Sequence, residues 1–168
     1  MHRTTALAGV ALAAALGVAA CGSSDPRPPA QTSSSTVAVR DVGSVGATLV
    51  DGSGRTLYFA DQEANGAIKC VDACLRFWQP LTVDAGSQPT ASGDLSGKLA
   101  STHRPDGSEQ VTYNGKPLYT FHDDSGPGAA DGNGVTDNFG ADSFLWHAAT
   151  VSGAASSPTT GGDPGYGY

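Results

Sequence analysis

Gln110-Val111-Thr112-Tyr113-Asn114-Gly115-Lys116-Pro117-Leu118-Tyr119-Thr120-Phe121 is two short β-forming runs joined by a tight turn. β-branched and aromatic residues populate both runs. Asn114-Gly115 is the strongest short hairpin signal, because a type I′ turn needs positive φ at both central residues. The neighbouring sequence repeats the style. Thr48-Leu49-Val50 and Thr56-Leu57-Tyr58-Phe59 flank the turn Asp51-Gly52-Ser53-Gly54. Residues 37–42 and 144–151 read as further strands, and 81–83 and 99–102 as weaker ones. No segment carries long helical periodicity, and 71–78 is the one helical turn expected. These features predict an all-β chain: a single small domain of about seven or eight short antiparallel strands, with one short helical turn around 70–78.

An internal repeat supports one domain built from two related units. Gly54-Arg55-Thr56-Leu57-Tyr58 matches Gly115-Lys116-Pro117-Leu118-Tyr119 at an offset of 61 residues. Both copies continue into an aromatic and then acidic residues: Phe59 and Asp61 in the first, Phe121, Asp123 and Asp124 in the second. Each later meets a Trp and a Thr-Val pair, Trp78 with Thr82-Val83 and Trp146 with Thr150-Val151.

Tyr119-Thr120-Phe121-His122-Asp123-Asp124 fits the pattern Tyr-x-(Phe/Trp/Tyr)-x-x-Asp. With the preceding stretch from Gln110, it resembles the bacterial "secreted repeat of unknown function" lipoproteins. Leu57-Tyr58, Cys70-x-x-x-Cys74 and Trp78-Gln79-Pro80-Leu81 resemble the first copy of that repeat, so the resemblance covers roughly 46–151. The first copy departs from the pattern. Tyr58-Phe59-Ala60-Asp61-Gln62-Glu63 has no aromatic at the third position and ends in Glu63. The resemblance carries no activity. If the motif binds a ligand, the second copy is the better candidate.

The ends of the chain speak about location. Residues 1–20 combine a short basic head with an Ala/Leu/Val/Gly run over 6–20, the layout of a secretory signal peptide. The run is shorter than the roughly 20 residues that span a bilayer. Val18-Ala19-Ala20-Cys21 resembles a bacterial lipobox, which implies lipidation of Cys21 and a membrane partner reached through that lipid. Residues 21–36 then form a polar, Ser/Pro/Thr-rich tether, 37–151 the two-copy domain, and 152–168 a Gly/Pro/Ser/Thr-rich disordered tail. The expected location is the extracytoplasmic face of a cell membrane. The chain has a formal charge of −7, and loss of Arg3 with the leader makes the mature form one unit more negative. That balance argues against nucleic acid and against electrostatic adhesion to anionic lipid.

Several groups could carry chemistry. Tyr119, Phe121, His122, Asp123 and Asp124 are the candidate ligand cradle. On a strand Tyr119 and Phe121 share a face, so the competing account makes them core aromatics. With Cys21 lipidated, Cys70 and Cys74 remain as a pair, and outside the cytoplasm such a pair usually oxidises to a disulfide. Two alternatives stay open: a soft-metal site for copper, with His103 or His147 as a further ligand, and a thiol redox pair. Asp131, Asn133, Asp137 and Asp142 fall at positions 1, 3, 7 and 12 of an EF-hand frame, but Val135 and Thr136 occupy positions 5 and 6, where a ligand and a glycine are needed. The 123–142 stretch therefore reads as a solvated loop, with weak calcium binding of a non-EF kind left open. Gly-x-Ser-x-Gly, a phosphate-binding loop and a dinucleotide fingerprint are all missing from the sequence. The expectation is a non-catalytic binding or envelope-associated module of unknown ligand, with no cofactor.

Overall fold

The computed structural model describes residues 36–154 apart from residue 44. The leader, Cys21, nearly all of the tether and the tail beyond Ala154 lie outside the described residues. Among the described residues there are twelve strands: β1 (Val37–Val42), β2 (Gly46–Asp51), β3 (Tyr58–Ala60), β4 (Trp78–Pro80), β5 (Thr82–Val83), β6 (Ala91–Ser92), β7 (Leu99–His103), β8 (Glu109–Tyr113), β9 (Lys116–Pro117), β10 (Tyr119–Phe121), β11 (Thr136–Phe139) and β12 (Asp142–Ala148). Two 3-10 turns, Asp61–Glu63 and Asp72–Arg76, follow β3. The all-β reading stands, with more strands than the expected seven or eight. β4, β6 and β11 are too short or too polar to announce themselves by pattern, and β11 lies inside the stretch read as loop. The expected helical turn narrows to the 3-10 segment.

Asn114 and Gly115 have φ of 51° and 79°, so the turn has positive φ at both central residues as expected, and Tyr113 pairs with Lys116 across it. The run after the turn does not continue as one strand. Leu118 separates β9, which pairs with β8, from β10, which belongs to another sheet. The same break occurs one repeat earlier at Leu57, between Thr56, which bridges Val50, and β3. Both leucines are wholly buried. Each is held by the same backbone triangle. Leu118 N–H donates to Val111, Val111 to Leu81, and Leu81 to Leu118. In the first copy Leu57 donates to Leu49, Leu49 to Ala149, and Ala149 to Leu57.

Those triangles reveal an exchange. Leu81 comes from the end of copy one yet closes the triangle of copy two, and Ala149 does the reverse. The strands follow suit. β4, from copy one, pairs with β10 of copy two, while β12 of copy two pairs with β3 of copy one. β3 and β10 meet antiparallel at the equivalent tyrosines, Tyr58 opposite Tyr119. The resulting sheet runs β11-β12-β3-β10-β4. The two flanking sheets run β2-β1-β6 and β5-β8-β7, with β6 parallel to β1 in a set otherwise antiparallel.

Alternation along β3 and β10 divides the interior in two. Tyr58, Ala60, Tyr119 and Phe121 enter one core with Trp78, Trp146, Phe144 and both cysteines. Leu57, Phe59 and Leu118 enter the other with Val37, Leu49, Val111 and Tyr113. Order also persists slightly past the expected domain end. The Val151 carbonyl accepts from the Tyr113 hydroxyl and the Gly153 carbonyl from Lys116 Nζ.

Candidate functional site

The chemistry-bearing residues converge on the seam where the copies meet. Tyr58 Oη, in copy one, donates to Asp124 in copy two, 2.8 Å from Oδ1 and 3.0 Å from Oδ2. Asp124 sits five residues after Tyr119. Glu63, five residues after Tyr58, faces Tyr119 in return. Burial first, and then the Glu63 charge, raises the Tyr119 phenol above its ordinary pKa. Burial and the Asp124 charge do the same to Tyr58. The final acid of each motif thus serves the first tyrosine of the other.

Both acids also pin a following loop. Asp124 Oδ1 accepts the Asp131 N–H at 3.0 Å. Glu63 Oε1 accepts the N–H groups of Lys69 and Cys70. Glu63 departs from the motif by one methylene yet performs the same task from a fully buried position. Its contact with Tyr119 is the looser of the two. It acts electrostatically on the phenol, while Glu63 Oε2 has no partner in close hydrogen-bond geometry. Desolvation pushes the Asp124 carboxyl up to about 6, against the lowering effect of the Tyr58 bond.

Arg104 completes the seam and was not singled out from the sequence, because His103-Arg104-Pro105-Asp106-Gly107 reads as an exposed turn. It is only 1 % exposed. Its Nη2 donates to the Cys70 carbonyl at 2.9 Å, its Nη1 to Gln110 Oε1 and, at 3.4 Å, to the Tyr119 hydroxyl. Asp106 takes the Nε bond at the surface. Above these groups the Trp78 and Trp146 rings stack 3.8 Å apart at 8°. Trp78 Nε1 donates to Asp137 Oδ2 at 2.6 Å, whereas the buried Trp146 Nε1 has no hydrogen-bond partner among the described residues. Burial raises the Asp137 carboxyl despite that bond.

The sequence-predicted residues divide accordingly. Tyr119 and Phe121 face the core rather than an open cradle, being 0 % and 5 % exposed. His122 and Asp123 are exposed and pair with each other at 2.6 Å. Asp124 lies between surface and core. Of the proposed ligand set, only the His122–Asp123–Asp124 rim is open to solvent. Cys70 and Cys74 form a disulfide with both residues buried. Its Cys70 end is gripped by Glu63 on the N–H and Arg104 on the carbonyl. Bonded to each other, the sulfurs are not the free thiolates that copper binding requires, while a disulfide is also the oxidised form of a thiol-redox pair. His103 pairs with Glu109 at the surface, and His147 with Asp61 across the copies. Asp131, Asn133 and Asp137 each accept a hydrogen bond from the protein, on Ser125, Ala148 and Trp78 respectively. Among the described residues no group of three or more His, Cys, Asp or Glu side chains is placed to hold a metal ion. A shallow cleft of about 290 Å³ opens beside the disulfide, between Lys69, Asp72, Asp142 and the rings of Phe139 and Phe144.

No helix among the described residues is long and apolar enough to cross a membrane. No curated protein and no solved structure matches the chain. Residues 100–150 match the family model described as "Secreted repeat of unknown function". That span runs from the second residue of β7 past the end of β12, the whole of the second copy. Residues 100–150 are therefore similar to the secreted repeat of unknown function.

Proposed function

We propose that this chain is an extracytoplasmic, lipid-anchored module that binds an envelope component and performs no catalysis of its own. Cys21 would carry the lipid and the polar tether would lift the domain from the membrane. Engagement of both motif copies in the seam supports this reading above all. The phenols of Tyr58 and Tyr119, together with Glu63 and Asp124, hold the domain together instead of facing a substrate. The surface left for a ligand at the motif is the exposed His122–Asp123 pair, beside the engaged Asp124. The buried Cys70–Cys74 bridge fits an oxidising compartment.

The test is fractionation of cells producing the full chain, with metabolic labelling by a radiolabelled fatty acid. The expected result is a labelled protein in the membrane fraction and an unlabelled, released Cys21→Ser variant. Equal release of both chains would refute the anchor. Substitution of His122 and Asp123 by Ala is expected to abolish capture of the envelope ligand without altering the denaturation midpoint.

A further inference from the structure

The seam contains more oxidisable side chains in contact than its polar bonding needs. Trp146 stacks on Trp78, and Trp78 meets Tyr58 edge-on with centroids 5.5 Å apart. On the other side Trp146 touches Phe144 at 5.7 Å, Phe144 touches Phe139 at 6.0 Å, and Phe139 stacks on Phe77 at 6.1 Å. Phe77 and Phe139 are half-buried, so the row of rings runs from the surface to the buried seam. Indole and phenol are the protein side chains, apart from free thiols, that lose a single electron most readily. Once oxidised, an indole N–H or phenol O–H becomes far more acidic, the phenol most of all. A lasting radical therefore needs a base already within hydrogen-bond reach.

The two halves of the seam differ on this point. Trp78 donates to Asp137, and Tyr58 donates to both oxygens of Asp124. Their repeat counterparts are placed differently: Trp146 has no such base among the described residues, and Tyr119 has the Arg104 guanidinium beside it as well as Glu63. The Tyr119 hydroxyl receives a bond from that buried guanidinium, which opposes positive charge on the ring. A hole placed on the stacked indoles has one favourable terminus, Tyr58.

We infer that the Trp146–Trp78–Tyr58 array is a one-electron oxidation site that ends in a tyrosyl radical on Tyr58. A strong outer-sphere one-electron oxidant outside the cytoplasm takes one electron from the indole stack and is itself reduced by one. Tyr58 refills the stack, its O–H bond breaks, and the proton passes to the Asp124 carboxylate. The products are a neutral phenoxyl radical and a carboxylic acid. A one-electron donor reverses the step, and the proton returns to the phenol. This inference shares Asp124 with the ligand rim, but it does not require that the rim bind anything.

The experiment uses the full chain with Tyr166→Phe and Tyr168→Phe, so that tail phenols do not report. The oxidant is photogenerated tris(bipyridine)ruthenium(III), and the readout is electron paramagnetic resonance of frozen samples. A tyrosyl signal is expected, lost in Tyr58→Phe and retained in Tyr113→Phe, whose phenol bonds a carbonyl instead of a carboxylate. Asp124→Asn keeps every ring in place and is expected to lose the signal as well, which covers the case of a Tyr58→Phe chain that does not fold. Absence of any tyrosyl signal, an undiminished signal in Asp124→Asn or Tyr58→Phe, or loss only in Tyr119→Phe would each overturn the assignment.

Discussion

The Tyr58–Asp124 bond joins the copies directly, and a double-mutant cycle measures it. The perturbations are Tyr58→Phe, Asp124→Ala and their combination. Each single change also removes packing or leaves a polar group without its partner, and the cycle cancels those costs. A hydrogen bond to an ionised acceptor contributes about 1.5–3 kcal/mol. Asp124 keeps some solvent contact, which screens the pair and places the expected coupling at the lower end, about 1.5 kcal/mol. With a urea slope of about 1–3 kcal/mol/M, that coupling appears as a midpoint shift on the order of 1 M. The assay is urea unfolding followed by tryptophan fluorescence, since Trp78 and Trp146 both lie in the seam. The acceptor's charge supplies an internal control. At about pH 5 Asp124 is mostly protonated, its carboxyl having been pushed up to about 6, and the coupling should fall toward the roughly 0.5–1.5 kcal/mol of a neutral pair. A coupling below about 0.5 kcal/mol near neutral pH would refute the claim that the motif acid joins one copy to the other.

Asp124 also sets a pH trend. Its folded pKa is raised above the ordinary 3.8, so its contribution to stability is fullest where it is protonated and fades as pH rises through about 6. Asp124→Asn imitates the protonated acid. It is expected to raise the melting temperature relative to the parent near neutral pH, with the gap narrowing below about pH 6 and closing toward about pH 4; a constant gap would contradict the assignment. Gly132→Ala would bring a Cβ to 2.9 Å from Trp78 Cη2 and 3.1 Å from Phe121. The stacked rings have little room to move, so a loss of about 1–3 kcal/mol is expected by calorimetry. Replacing Cys70 and Cys74 by Ser should cost about 2 kcal/mol, the small chain entropy of so short a loop. Because both sulfurs are buried, the native bridge should resist a reductant until denaturant is added, as thiol labelling will report.

Sequence pattern reached the local structure and stopped at the tertiary arrangement. The Asn114-Gly115 hairpin was legible because turn chemistry is local. The repeat was legible because Tyr58 and Tyr119 sit in matching contexts. The exchange of β4 and β12 was not, since nothing in the order of residues tells whether Trp78 packs on its own copy or on the next. β11 was hidden because Thr136-Asp137-Asn138-Phe139 has the composition of a loop and becomes a strand only against β12. Glu63 looked like a defect in the motif, yet its carboxylate still reaches the Lys69 and Cys70 amides. Arg104 escaped notice because a guanidinium beside Pro-Asp-Gly reads as surface. Its burial depends on Cys70 and Gln110, which only the fold brings to it.

The exchange of strands has a consequence for resistance to proteolysis. Residues 84–88, between β5 and β6, are all exposed and offer a protease its simplest cut. A chain severed there would fall into halves holding β1–β5 and β6–β12. All three sheets described here draw strands from both halves, and the two tyrosine–acid contacts run from one half to the other. The nicked protein would stay assembled as a pair of complementing fragments, its scission visible on a denaturing gel and silent in the native state.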